Sequence, residues 1–165
     1  MNQRRRIDQV LDPGFVSGIA DLGIEDVRER RALSGDVENE LSYYRRMLHG
    51  RMDLIRFEQR RRSGEEKRSL IEALPSILAD PESGHRSGRY EVPDLPPLPD
   101  VGHREIDHIL GDDVLIRLDA IDDAGLESAL EAIQEIEAEI SEQRRQVQAV
   151  EDAFVEELAA RYRVS

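Results

Sequence analysis

Two stretches of the chain carry an apolar residue on every second turn of a helix. In the later one the residues are Ile133, Ile140, Val147 and Phe154; in the earlier one they are Val37, Leu41, Leu48 and Ile55. Spacings of three, four and seven put such residues on one helical face. This predicts two long helices, from about residue 36 to 62 and from about 124 to 161. Asp36 is expected to cap the first, and Asp122 and Asp123 the second. A short helix is expected at 24–33, closed by Ser34-Gly35. Helices sharing such a seam pair along it.

A polar stripe runs beside each apolar one. Glu137, Ser141, Arg144, Gln148 and Asp152 follow spacings of four, three, four and four. At about 100° per residue they fall within an arc of roughly 80°. The same spacing occurs 99 residues earlier as Glu38, Ser42, Arg45, His49 and Asp53, with four of five residues identical. If the two helices pair along their apolar seams, both polar stripes border one groove.

The rest of the chain reads as connections. Residues 1–20 are expected to form a flexible arm, with Arg4, Arg5 and Arg6 solvated and a turn at Pro13-Gly14. Ser63-Gly64 ends the first long helix, and Arg60, Arg61 and Arg62 suit its C-terminal dipole. A further helical piece is expected from Glu65 to Leu74, closed by Pro75, with one more turn over 76–79. Five of the seven prolines lie between Asp80 and Pro99, which predicts a mobile connector near 80–105. An apolar segment from Ile106 to Leu118 is expected to dock on the helices. The helical piece after Gly64 favours a chain that turns back. The expected fold class is all-α. It is an antiparallel two-helix coiled coil with a short N-terminal helix and small helical segments in a long connector. Residues 21–165 are read as a single helical-hairpin domain.

Composition narrows the function classes. Charged residues make up 36% and aromatic residues 4%, a balance that suits long solvated helices better than a thick core. There is no cysteine, which excludes disulfides and thiolate chemistry. No apolar run has membrane-spanning length and no signal-peptide pattern opens the chain, so a cytoplasmic location with no membrane contact is expected. The net charge is −13, unevenly spread: residues 1–70 carry 15 Lys and Arg against 13 Asp and Glu, the remainder 8 against 23. That argues against direct DNA binding, which needs an extended basic face. It leaves room for a small anion held by a few placed arginines. His103, Asp107 and His108 invite a metal reading. Histidines five apart do not share a helix face, so no metal is expected.

The doubled stripe is a poor fit to catalysis. It pairs no nucleophile with a base and has neither a glycine-rich phosphate cradle nor a carboxylate–histidine metal motif. A guanine nucleotide fits better. Arginine can fork onto the O6/N7 edge of guanine, stack on its ring or pair with phosphate. A carboxylate accepts from guanine N1–H and N2–H₂. Two copies suit a ligand with two-fold character.

The motif Glu-x3-Ser-x2-Arg-x3-Gln/His-x3-Asp, present twice on two paired helices, resembles that of the RsiG family of actinobacterial anti-sigma factors. The flanking text is similar too: LSYYRRMLHGRMDLIR at 41–56, LIEALPSILAD at 70–80, ISEQRRQVQAVEDAF at 140–154 and RYR at 161–163. The resemblance implies a non-enzymatic regulator of transcription that binds cyclic di-GMP as an intercalated dimer between its long helices, two molecules per chain. The loaded form is implied to sequester a WhiG-type sigma factor, as a monomer in that complex. Carried over position by position, Arg45, Asp53, Arg144 and Asp152 are the main base and phosphate contacts. Glu38, Ser42, Glu137, Ser141 and Gln148 complete the stripes. His49 departs from the pattern: a neutral imidazole replaces only part of an amide's hydrogen bonding. The competing expectation, from another class, is a constitutive coiled-coil adaptor with solvated stripes and no nucleotide. An enzyme that makes or degrades the nucleotide would need metal ligands that the chain lacks.

Overall fold

The computed structural model describes residues 3–79 and 118–164; the connector expected near 80–105 and the segment 106–117 lie outside them. In chain order the helices are α1 (Gln3–Leu11), α2 (Pro13–Val16), α3 (Ile24–Ser63), α4 (Leu70–Leu78) and α5 (Asp123–Val164). Single 3₁₀ turns lie at Ile19–Asp21 and Leu118–Ala120. Among the described residues there is no strand, and the all-α expectation stands. The chain divides into two compact units. One takes in the described parts of Met1–Arg45 and Glu139–Ser165, the other those of Arg46–Leu95 and Asp100–Ala138.

The long helices are built on the seam that the periodicity predicted. Along α5, Leu126, Ile133, Ile140, Val147 and Phe154 recur every seventh residue and are all buried. Along α3, Val27, Ser34, Leu41, Leu48 and Ile55 do the same, with Val37 and Tyr44 buried between them. A repeat of seven is the coiled-coil period.

In the first unit α3 and α5 run antiparallel: Arg31 lies 3.9 Å from Glu151, while Arg45 bonds Ser141. Residues 3–21 form two helices and a 3₁₀ turn in place of the expected arm. Ile7, Val10 and Leu11 share one face of α1, and Val10 is fully buried. Asp12 caps α2 by accepting from the Gly14 amide at 2.7 Å. Phe15 then packs edge-on against Phe154, centroids 5.6 Å apart, beneath the Arg30 guanidinium. Arg6 is not solvated either; it donates to Glu40 at 2.6 Å and reaches Asp36 at 3.4 Å. Arg161, from the far end of the chain, donates to the carbonyls of Ile19, Ala20 and Leu22.

The expected break at Ser34-Gly35 is also corrected. α3 runs through it as one helix of 40 residues, and Asp36 is interior rather than a cap. Ser34 is fully buried with its hydroxyl bonded to the Arg30 carbonyl at 2.9 Å, so its polar group is satisfied inside the helix. A Cβ on Gly35 would sit 3.2 Å from a Glu151 oxygen; here the glycine serves close approach rather than a turn.

In the second unit the helices are again antiparallel, with His49 on Glu137 and Arg62 on Asp123. Gly64, at φ +82°, ends α3 in the left-handed conformation that glycine tolerates. α4 begins later than residue 65. Ser69 and Glu72 form a reciprocal capping box, and Pro75 sits inside the helix instead of ending it. At the start of α5 the Asp122 carboxylate accepts from the Gly125 amide at 2.7 Å, as its expected cap role requires.

The arginines at the end of α3 do more than complement a dipole. Glu58, 4% exposed, accepts from Arg61 at 2.8 and 2.9 Å and from Arg62 at 2.8 Å. Arg62 continues to Asp123 and to the Leu118 carbonyl, both at 2.9 Å. The Arg61 hydrogen bonds, with those of Arg62 behind them, hold the Glu58 carboxyl below its ordinary 4.5 against the opposing effect of burial. A carboxyl lowered on folding adds stability above its unfolded pKa and loses it as pH falls through the folded value. Glu58→Ala is expected to cost about 3 kcal/mol, the low end for breaking a buried pair, because Arg61 is half exposed. Urea unfolding between pH 7 and 3 checks both: the gap between variant and wild type should close on the acid side of pH 4.5. A gap that stays constant would remove Glu58 as its source.

Candidate functional site

The first four residues of each polar copy have fixed places beside the seam. Glu38 and Arg45 lie three residues before the buried Leu41 and Leu48; Ser42 and His49 lie one after them. Glu137 and Arg144 stand likewise three before Ile140 and Val147, with Ser141 and Gln148 one after. These positions flank a coiled-coil interface, where polar side chains of the two helices meet. All eight are partly buried. The fifth residue differs. A last step of four, where the heptad would take three, carries Asp53 and Asp152 outward, and both are exposed.

Antiparallel helices bring the two copies together in reverse order. In the first unit, the first residue of one copy meets the fourth of the other: Glu38 accepts from Gln148 at 3.2 Å. The second meets the third, with Arg144 Nε donating to Ser42 at 2.7 Å. The third meets the second, with Arg45 Nε donating to Ser141 at 3.1 Å. Arg144 Nε also donates to Glu38 at 2.8 Å, and the Ser42 hydroxyl donates to the same Glu38 oxygen at 2.8 Å. That oxygen accepts from three donors.

In the second unit the fourth residue meets the first: His49 Nε2 lies 3.0 Å from Glu137 Oε1. This mirrors Gln148 on Glu38. The histidine therefore keeps the cross-helix hydrogen bond that its glutamine counterpart makes, through a ring nitrogen in place of the amide. Asp53 stands apart from this pair, 3.7 Å from Arg56 on its own helix. In the first unit Asp152 forms no hydrogen bond or ion pair among the described residues. The structure thus joins eight of the ten expected residues in cross-helix pairs and leaves the two aspartates outside them.

Chemically, the stripes offer guanidinium, carboxylate, hydroxyl and amide groups, with neither a nucleophile–base pair nor a phosphate loop. Among the described residues no three His, Asp or Glu side chains converge on a metal position; His103 and His108 lie outside those residues. No helix described is long and apolar enough to cross a membrane.

A family model described as RsiG-like matches residues 13–78. The matched range holds the first motif copy and α4; the second copy lies beyond it. No curated protein matches the chain. Over those residues the match bears out the resemblance to RsiG-type anti-sigma factors, a family whose role implies a regulator with a sigma-factor partner.

Proposed function

We propose that the protein is a cyclic di-GMP-responsive anti-sigma factor whose two motif copies together bind the nucleotide, and that the loaded form sequesters a WhiG-type sigma factor and represses its transcription. One observation carries the ligand reading. In the first unit the copies meet in reverse order, Ser42 on Arg144 and Arg45 on Ser141, so like groups recur about a two-fold relation. A symmetric ligand built of two guanosine units has the same relation. The exposed carboxylates of Asp53 and Asp152 suit the N1–H and N2–H₂ of guanine.

The expected result is two cyclic di-GMP molecules bound per chain and none of cyclic di-AMP. Adenine offers a donor where guanine O6 accepts, and it lacks N1–H and N2–H₂. Calorimetric titration with each nucleotide checks this, and equal affinity for both would sink the guanine-reading argument. A second reading has its own support: Glu38, Ser42, Arg144 and Gln148 bond one another across the two helices, as residues that merely knit them would. On that reading the chain is a constitutive coiled-coil adaptor, and neither nucleotide binds.

A further inference from the structure

Arg144 is held by one corner of its guanidinium. Its Nε–H is shared between Glu38 Oε1 at 2.8 Å and Ser42 Oγ at 2.7 Å. Ser42 closes the triangle by donating to Glu38 at 2.8 Å, and Gln148 braces the same carboxylate oxygen. Glu38 and Ser42 are four residues apart on α3, so they form a notch on one helix face that receives a side chain from α5. The Nη1 and Nη2 groups of Arg144 make no hydrogen bond among the described residues, and the side chain is 30% exposed against 16% for Glu38.

We infer that Glu38 and Ser42 are positioning residues that fix Arg144 by its Nε, leaving the Nη1/Nη2 edge as the surface that reads the ligand. This rests on the nucleotide-binding reading above and changes the role of two stripe residues within it, from contacts to supports. A free arginine loses its rotamer freedom on binding; one anchored beforehand has already lost it, so more of each new hydrogen bond appears as affinity. The Nη edge forms the end-on fork, which spans two acceptors such as guanine O6 and N7. The charge balance favours a base over a phosphate at this edge. Glu38 offsets much of the guanidinium charge from 2.8 Å away and repels an anion approaching the same group.

A double-mutant cycle on the full chain tests this, with cyclic di-GMP as probe and circular dichroism confirming that each variant stays helical. Glu38→Ala is expected to weaken binding about tenfold in the wild-type background and to change nothing further in Arg144→Ala. Glu38→Gln, which keeps an acceptor oxygen, should recover most of the loss. Equal losses from Glu38→Ala in both backgrounds would mean that Glu38 touches the nucleotide itself, which overturns the inference. A second arm needs no nucleotide. The Arg144 Nε–H resonance should exchange slowly with water in the wild type and lose that protection in Glu38→Ala; an unchanged signal overturns the anchoring. Absence of cyclic di-GMP binding by the wild type would instead remove the functional reading, and with it the proposed role, while the resonance still reports on the anchor.

Discussion

Alanine at both Arg45 and Arg144 is expected to abolish nucleotide binding and to leave the helices standing. Either single change should weaken binding by about 2–5 kcal/mol, the range for truncating one partner of a buried charged contact. The two arginines hold equivalent places in the reversed copies, each donating through Nε to the serine of the opposite helix. Losing both removes the cationic donors from both halves of the motif. Stability should change far less. The seam beside them, with Leu41, Leu48, Ile140 and Val147, stays buried and intact. Glu38 keeps Ser42 and Gln148 as donors when Arg144 is gone, and the three Nε hydrogen bonds that the double variant loses are worth about 1 kcal/mol net each. Calorimetry gives the affinity and thermal circular dichroism the fold. A collapse of helicity in the double variant would make the stripes structural and favour the adaptor.

The residues that proved most legible were those whose role is set by period alone. Every seam residue the pattern proposed, from Val37 to Ile55 and from Ile133 to Phe154, is buried. Period also explains why the ten stripe residues split. The spacing of four, three and four keeps step with the heptad, while the final four does not, and this difference was already present in the sequence. Local signals misled where a tertiary contact outweighed them. Ser34-Gly35 reads as a stop, yet a buried serine satisfied by the Arg30 carbonyl and a glycine closely approached by Glu151 carry the helix onward. The Ser69–Glu72 capping box was readable at fixed spacing and marks the true start of α4. Arg6 on Glu40 and Arg161 on the carbonyls of Ile19–Leu22 had no signal at all, because contacts 34 and about 140 residues apart leave no local pattern. The same holds for Glu58, whose spacing to Arg61 and Arg62 shows a helical pair but not its burial.

A second functional effect concerns the sigma factor. Under the proposed function, the ligand pins two helices joined by a long connector into one geometry, and the partner recognises that geometry. Ligand and partner affinities are then coupled, and the coupling must be equal in both directions. Cyclic di-GMP should tighten a WhiG-type sigma factor by a given factor, and that sigma factor should tighten cyclic di-GMP by the same one. Couplings of this kind run to about 1–3 kcal/mol, or roughly 5–150-fold. The excess of acidic residues beyond residue 70, 23 against 8 basic, would face the basic surfaces that a sigma factor turns towards DNA and polymerase. Association should therefore weaken as salt rises through the range where the screening length falls to about 8 Å. Arg45→Ala/Arg144→Ala should erase the nucleotide's effect on the partner without removing the acidic surface, leaving weak, salt-sensitive association. Co-purification with the sigma factor at matched concentrations, with and without nucleotide, reads all of this directly. Association of equal strength in both conditions would keep the anti-sigma role and discard the switch; no association in either would return the chain to the adaptor reading.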